Sequence, residues 1–188
     1  MTPVAGGPLA SEAAFIPGGR LFRPVDWIAF VLVSFVVMAG YLLTIAPDLT
    51  LEDSGELAVA SMYAGVPHPP GYPVWTVYTW LFTKLLPFSN IAWRVAVSSA
   101  FAAAMSAGLV ALLASRGATL MLDAVELFKD RDKGWDNRVS LAAGYVAGML
   151  LGFNGYIWSQ AVIVEVYTIA VWSLMAVLLF LMRYTWSP

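Results

Sequence analysis

The sequence lacks cysteine altogether and carries little charge. Lys, Arg, Asp and Glu make up only 12% of its 188 residues, about half the share found in soluble domains. The absence of cysteine excludes disulfides and thiolate metal sites, and a single histidine cannot build an ordinary structural zinc site. A net charge of −2 gives no basis for nucleic-acid binding. No cofactor is firmly implied, although a divalent metal held by carboxylates, Mg²⁺ or Mn²⁺, stays open.

Apolar residues are what the chain has in abundance. They make up 60% of it, and the mean hydropathy is +0.76, which predicts an all-α integral membrane protein. We expect a flexible cytoplasmic tail over residues 1–25, rich in Gly, Pro and Ala, followed by one membrane domain over residues 26–188. Four stretches of this domain are apolar and about long enough to cross a bilayer: 27–46, 92–115, 139–158 and 165–186.

The segment 72–88 is also apolar, but it is short, bounded by prolines and interrupted by Lys84. We therefore expect one or two interfacial helices in the loop 47–91 rather than another span. Basic residues then predict the orientation, because they concentrate on the cytoplasmic side of membrane proteins. Only Lys84 and Arg94 lie on the side of the 47–91 loop, which is therefore predicted to be non-cytoplasmic. The loop 116–138 and both termini, predicted to be cytoplasmic, carry the other basic residues: Arg20, Arg23, Arg116, Lys129, Arg131, Lys133, Arg138 and Arg183.

Asp53 and Glu56 lie three residues apart at the start of a helix-like run in this loop. The spacing is typical of a capping box, in which Asp53 would be the N-cap and Glu56 would fold back onto it. That helix would run to about Ala64 and stop at Gly65. The same spacing also puts both carboxylates on one helical face, where they could do chemistry.

The segment His68-Pro69-Pro70-Gly71-Tyr72-Pro73 contains the only histidine. It is typical of a stiff connector with a Pro-Gly turn. A functional role is the alternative, because an imidazole titrates near neutral pH and can donate a hydrogen bond to a phosphate.

Glu165 is the only charged residue between Arg138 and Arg183. It either marks the turn between the last two spans or is a functional acid, since acids in a membrane segment are costly. With four spans, this turn lies on the same face as Asp53 and His68. Elsewhere in the third span, the spacing of Gly144, Gly148 and Gly152 predicts close packing of helices.

Three elements together resemble one membrane family: Asp53-Ser54-Gly55-Glu56-Leu57, then His68 to Pro73, then Trp158 to Thr168. That family was first catalogued as a domain of unknown function in bacteria and animals, and its animal member is a protein O-mannosyltransferase. It is similar to the GT-C superfamily of polytopic glycosyltransferases, which use lipid-phosphate sugars. The resemblance spans about residues 27–186. Members of the family are longer, so it implies a GT-C-like N-terminal module, a truncated relative or one subunit of a split enzyme.

The resemblance also implies roles for individual residues. An acid early in the first non-cytoplasmic loop of GT-C enzymes is the general base, and here that position is Asp53. Glu56 would position the acceptor or tune Asp53. The substrate-binding residues would be His68, Tyr72, Arg94, Glu165 and Tyr167, with His68 or Arg94 offsetting the charge of the departing lipid phosphate.

The activity implied is transfer of a sugar, such as mannose, from a polyprenyl-phosphate donor to a hydroxyl acceptor on the non-cytoplasmic face. The expected partners are the lipid-linked donor, an exported protein or glycan, membrane lipids and a further membrane subunit, in a bacterial inner membrane. The alternative is a four-span assembly or scaffold subunit without turnover. A transporter is a weaker option, because the spans lack internal polar groups and show no inverted repeat.

Overall fold

The computed structural model of the protein describes residues 20–50, 53–128 and 130–186. Most of the predicted tail and Lys129 lie outside these residues. Within them all regular secondary structure is helical, and it includes a short 3-10 helix at Glu126–Phe128. The α-helices are α1 Pro24–Thr44, α2 Ser54–Tyr63, α3 Pro73–Leu85, α4 Ile91–Asp123, α5 Lys133–Gly152, α6 Gly155–Ala161 and α7 Tyr167–Trp186.

Three of these helices, α1, α4 and α7, are long and apolar enough to cross a membrane. The pair α5 and α6 passes the same test together but is bent by 64°, so it is either a broken fourth span or a re-entrant element. The prediction of an all-α fold is confirmed for the described residues, and three to four apolar spans agree with a membrane protein. The count of four stays a prediction. The loop between α1 and α4 contains two helices, α2 and α3, as expected from the apolar but short segments there.

Two helix boundaries can be compared with the predicted spans, whose positions in a membrane stay predictions. Helix α4 continues to Asp123 rather than ending at 115, because Ser115 and Thr119 are still buried against the bundle. The predicted third span, 139–158, contains a break at Phe153 and Asn154, in addition to the turn that follows α6 near Gln160. At that break the side chain of Asn154 accepts a hydrogen bond from the backbone N–H of Tyr156 at 3.0 Å and so starts a new helix.

The glycines of α5 allow the close helix packing that their spacing predicts. A Cβ added at Gly144 would lie 2.7 Å from the carbonyl oxygen of Ala111 in α4. One added at Gly148 or Gly152 would lie 2.7 Å or 2.5 Å from a valine methyl of α1. Helix α5 therefore packs tightly against both α1 and α4, and small residues let the backbones approach.

A buried polar cluster lies at the end of the bundle where α1 begins. Asp26 is fully buried and accepts hydrogen bonds from Ser115 Oγ at 2.6 Å and from Arg23 Nη2 at 3.1 Å. Because a buried carboxylate is costly without such partners, the cluster fixes the start of α1 against α4. One local pattern is consistent with it, the i, i+3 spacing of Arg23 and Asp26.

At the opposite end of the bundle, α2 and α3 pack on the beginning of α4. Leu57 of α2 and Trp75 of α3 form one apolar cluster with Val95 and Ala96 of α4 and with Val164, which precedes α7. This cluster carries the 53–73 segment on a rigid base. It therefore determines where the side chains of that segment are presented.

Candidate functional site

Asp53 occupies the N-cap position of α2, but its side chain makes no capping hydrogen bond. The predicted capping box is therefore wrong. Glu56 does not fold back onto Asp53, because its carboxylate binds His68 instead. A partner 12 residues along the chain thus replaces the local one, and neither carboxylate is used to cap the helix. The helix ends at Tyr63, and the left-handed residue that follows is Ala64, one position before the expected glycine.

Glu56 holds His68 at two points. One carboxylate oxygen, Oε1, accepts a hydrogen bond from the backbone N–H of His68 at 2.6 Å. The other, Oε2, lies 3.2 Å from the ring nitrogen Nδ1. Together these contacts fix both the backbone and the ring of the histidine relative to α2.

The second ring nitrogen of His68 faces Asp53. Its Nε2 lies 3.9 Å from the Asp53 oxygen Oδ2. The three side chains are accessible to solvent, with exposed fractions of 62% for Asp53, 50% for Glu56 and 35% for His68. The structure therefore brings together three of the predicted site residues in an open carboxylate–imidazole group, which we call the Asp53–Glu56–His68 cluster.

The turn after His68 is built by Gly71 and Tyr72. The backbone N–H of Gly71 donates to the carbonyl of His68 at 2.9 Å. Gly71 has a φ of +91°, and a Cβ there would lie 3.0 Å from a methyl group of Val66, so glycine is required both for conformation and for space. Tyr72 is the N-cap residue of α3, and its ring contacts the His68 ring edge-on with centroids 5.7 Å apart.

Glu165 lies between α6 and α7 and is buried, with 7% of its surface exposed. Its carbonyl oxygen accepts hydrogen bonds from Trp75 Nε1 at 3.1 Å and from Ser99 Oγ at 3.2 Å. Its carboxylate oxygen Oε2 accepts one from the backbone N–H of Val166 at 3.0 Å. The loop that carries the cluster is thereby joined to this turn through the indole of Trp75. That a single cavity contains the carboxylates of Glu165 and Asp53 stays a prediction.

Trp75 is the residue that sequence reasoning missed here. The sequence marks it only as one of several aromatic residues in the apolar segment 72–88. Its one distinguishing signal is its place two residues after the His68–Pro73 segment, in the first turn of α3. Tyr167 is the first residue of α7, and about half of its surface is exposed.

Arg94 has a structural use in addition to its predicted role. Its guanidinium donates three hydrogen bonds to backbone carbonyls, those of Thr83, Phe88 and Ser89, at 3.0, 3.0 and 2.9 Å. These bonds close the loop between α3 and α4. Binding of a phosphate by Arg94 stays a prediction, and it would have to compete with these carbonyls.

The possible ligand atoms of the Asp53–Glu56–His68 cluster all lie within 4.8 Å of one another, and this is the group in the described part of the chain that could hold a metal ion. We assign no metal to it, because both oxygens of Glu56 already have hydrogen-bond partners on His68. Beside Glu56 runs a groove of about 380 Å³ whose other lining is mostly apolar, including Val59, Tyr63 and Val66.

The sequence is similar to proteins of one family. The family model described as "Protein O-mannosyl-transferase TMEM260 N-terminal domain" matches residues 53–187. A stretch of 74 residues is 40% identical to the mouse protein named Protein O-mannosyl-transferase TMEM260, which covers 39% of this chain and 10% of that protein. A stretch of 61 residues is 36% identical to the protein of the same name from Dictyostelium discoideum, covering 31% and 7%. The matched stretches thus span a tenth or less of these relatives' own length. No solved structure matches the chain.

Proposed function

The chain belongs to the Protein O-mannosyl-transferase TMEM260 N-terminal domain family, and we propose that it is the membrane-embedded N-terminal module of a GT-C-like glycosyltransferase. In this proposal the module moves a sugar from a polyprenyl-phosphate donor to a hydroxyl acceptor. Mannose is the sugar that the names of the relatives suggest. The acceptor is an exported protein or glycan, and a further membrane subunit completes the enzyme.

The observation that carries the proposal is the Asp53–Glu56–His68 cluster. Two carboxylates and the only imidazole of the chain meet at one end of an apolar bundle, although neither carboxylate is needed to cap α2. Such a group has the residue types that general acid–base chemistry uses. A donor chain has an apolar surface to follow in the groove beside Glu56.

In the proposed reaction Asp53 removes the proton from the acceptor hydroxyl as its oxygen attacks the anomeric carbon. The new carbon–oxygen bond forms on the face opposite the bond to phosphate, which breaks, so the anomeric carbon is inverted. The electron pair of the broken bond leaves with the polyprenyl phosphate. His68 or Arg94 offsets the negative charge of that phosphate, and Tyr72, Glu165 and Tyr167 contribute to the substrate-binding walls.

The orientation of the proposal follows the distribution of charge. The buried Asp26 cluster and most basic residues belong to the end of the bundle opposite the Asp53–Glu56–His68 cluster. The tendency of basic residues to face the cytoplasm supports a non-cytoplasmic site and cytoplasmic termini. We place the protein in a bacterial inner membrane, with membrane lipids as its surroundings.

The substitution Asp53→Asn tests the proposal. Because the Asp53 side chain makes no capping bond, its replacement should leave thermal stability unchanged. Loss of the base should lower transfer of labelled mannose from a polyprenyl-phosphate donor by about 10²-fold or more. The assay uses membranes that contain the protein and any partner subunit that transfer requires.

A matched control is Asp48→Asn, which removes an equal charge from the same loop, where Asp48 accepts a hydrogen bond from the neighbouring N–H of Leu49 at 2.7 Å. This control should transfer sugar at the parent rate. Parent membranes that transfer no sugar would favour the scaffold alternative. A parent rate in the Asp53→Asn protein would remove Asp53 from the mechanism.

A further inference from the structure

We propose that Glu56 is a positioning residue that holds the His68 ring with its Nε2 toward Asp53, and that His68 receives there the proton which Asp53 takes from the acceptor. The inference rests on the proposed function for the origin of that proton. It adds His68 as a second site for the proton, and it gives Glu56 a role that acts through the ring of His68.

The two contacts of Glu56 determine which ring nitrogen carries hydrogen. An ionised carboxylate only accepts hydrogen bonds, so the hydrogen between Oε2 and Nδ1, 3.2 Å apart, belongs to the ring. A neutral imidazole has one N–H and one bare nitrogen. The bare nitrogen is then Nε2, and the contact of the His68 backbone N–H with Oε1 prevents the ring from drifting away.

The bare Nε2 lies 3.9 Å from Asp53 Oδ2. Two acceptors that face each other at this distance have no hydrogen to share until one of them takes up a proton. Once Asp53 has accepted the hydroxyl proton, that proton can pass to Nε2, directly after a small closure or through one bridging water. Asp53 returns to the carboxylate, and the imidazolium is stabilised by the negative charge of Glu56.

The surroundings of the ring suit this role. Among the residues that the structure describes, the charged groups that face it are Asp53 and Glu56, both at the start of α2. From the turn before α3 the ring of Tyr72 contacts it edge-on, which limits its rotation. The imidazole is partly exposed, so water can return the proton to solvent after each turnover.

The substitution Glu56→Gln tests whether Glu56 sets the orientation and tautomer of the His68 ring or only attaches the loop to α2. The backbone N–H of His68 cannot move its hydrogen, so the amide oxygen of the new residue must face it, as Oε1 does in the parent. The NH₂ group then faces Nδ1 and forces the ring hydrogen to Nε2. The loop stays attached, but the tautomer is reversed and Nε2 can no longer accept a proton.

The tautomer can be read directly, because the chain has a single histidine. On protein purified through a tag without histidine, ¹⁵N NMR above neutral pH should show hydrogen on Nδ1 in the parent and on Nε2 in Glu56→Gln. The control Asp48→Asn should match the parent. Hydrogen on Nε2 in the parent, or the same tautomer in the parent and Glu56→Gln, would overturn the positioning role.

Kinetics test the proton step. We expect kcat of Glu56→Gln to fall by about 10²-fold while KM for the donor stays near the parent value. In His68→Asn, whose NH₂ group can still donate to Glu56, kcat should fall to a similar extent, because no ring nitrogen is left to take the proton from Asp53. An active parent with unchanged kcat in both variants would overturn the relay and leave the proposed function standing. A parent without transfer would count against the proposed function, while the tautomers would still decide the role of Glu56.

Discussion

Gly144, Gly148 and Gly152 line the side of α5 that packs against α1 and α4, and we call them the glycine seam. The effect of a substitution in this seam can be worked out from the structure. A Cβ added at Gly144 would lie 2.7 Å from the carbonyl oxygen of Ala111 and 3.0 Å from the Cβ atoms of Ala29 and Ser115. None of these atoms can move away by a change of rotamer. The substitution Gly144→Ala must therefore push α5 outward by about 0.7 Å, from 2.7 Å to the 3.4 Å at which ordinary contact begins.

Two opposing terms set the expected effect. Crowding of a well-packed core costs about 1–3 kcal/mol, and a gap of this width also weakens neighbouring contacts along the seam. Alanine gains up to about 1 kcal/mol over glycine in helix propensity. We therefore expect Gly144→Ala to lower the free energy of unfolding by about 1–2 kcal/mol.

Gly117 in α4 supplies the matched control, because a Cβ there meets nothing within 4 Å. Gly117→Ala should gain only the propensity term and raise stability by up to about 1 kcal/mol. Unfolding of the purified proteins in detergent, followed by tryptophan fluorescence and circular dichroism, measures both. A Gly144→Ala protein as stable as Gly117→Ala would refute the packing of α5 on α1 and α4 described above.

Two other predictions concern the orientation of the chain in the membrane and the hydrogen bonds by which Arg94 closes the loop between α3 and α4. A cysteine placed at the exposed Ser89 should label from outside intact cells, and one at the exposed Asp132 only after permeabilisation; outside labelling at position 132 would reverse the predicted orientation. Arg94→Lys should keep one of the three carbonyl contacts at most and should increase proteolysis of the loop between α3 and α4, with about 1–3 kcal/mol of local stability lost. If it instead leaves proteolysis unchanged and raises KM for the donor several-fold, Arg94 serves the phosphate rather than the loop.

The helical membrane class and the glycine seam could be predicted because both depend on short-range patterns. A run of apolar residues of bilayer length and a small residue at every fourth position each have one dominant physical explanation. The family resemblance carried by the segments around Asp53 and His68 is confirmed for the same reason, since those segments are contiguous in the sequence.

The use of Glu56 could not be predicted from local pattern. A carboxylate at the third position of a helix has a nearby partner, the N-cap backbone, and the capping box is the usual result. In this protein the chain turns at Ala64 after α2, and two donors of His68 reach a carboxylate 12 positions before it in the sequence. The break at Asn154 was missed for a similar reason, because the surrounding residues are apolar enough to continue a span.

The hydrogen bond between Trp75 and the carbonyl of Glu165 has a consequence for biogenesis. Asp53, Glu56 and His68 lie within 16 residues, so their contacts close only a short loop and require little loss of chain entropy. The Trp75 contact joins residues 90 positions apart and cannot form until the segment before α7 has been synthesised. The Asp53–Glu56–His68 cluster can thus take shape on α4 while the chain is still being inserted, and its link to the turn before α7 is added only later.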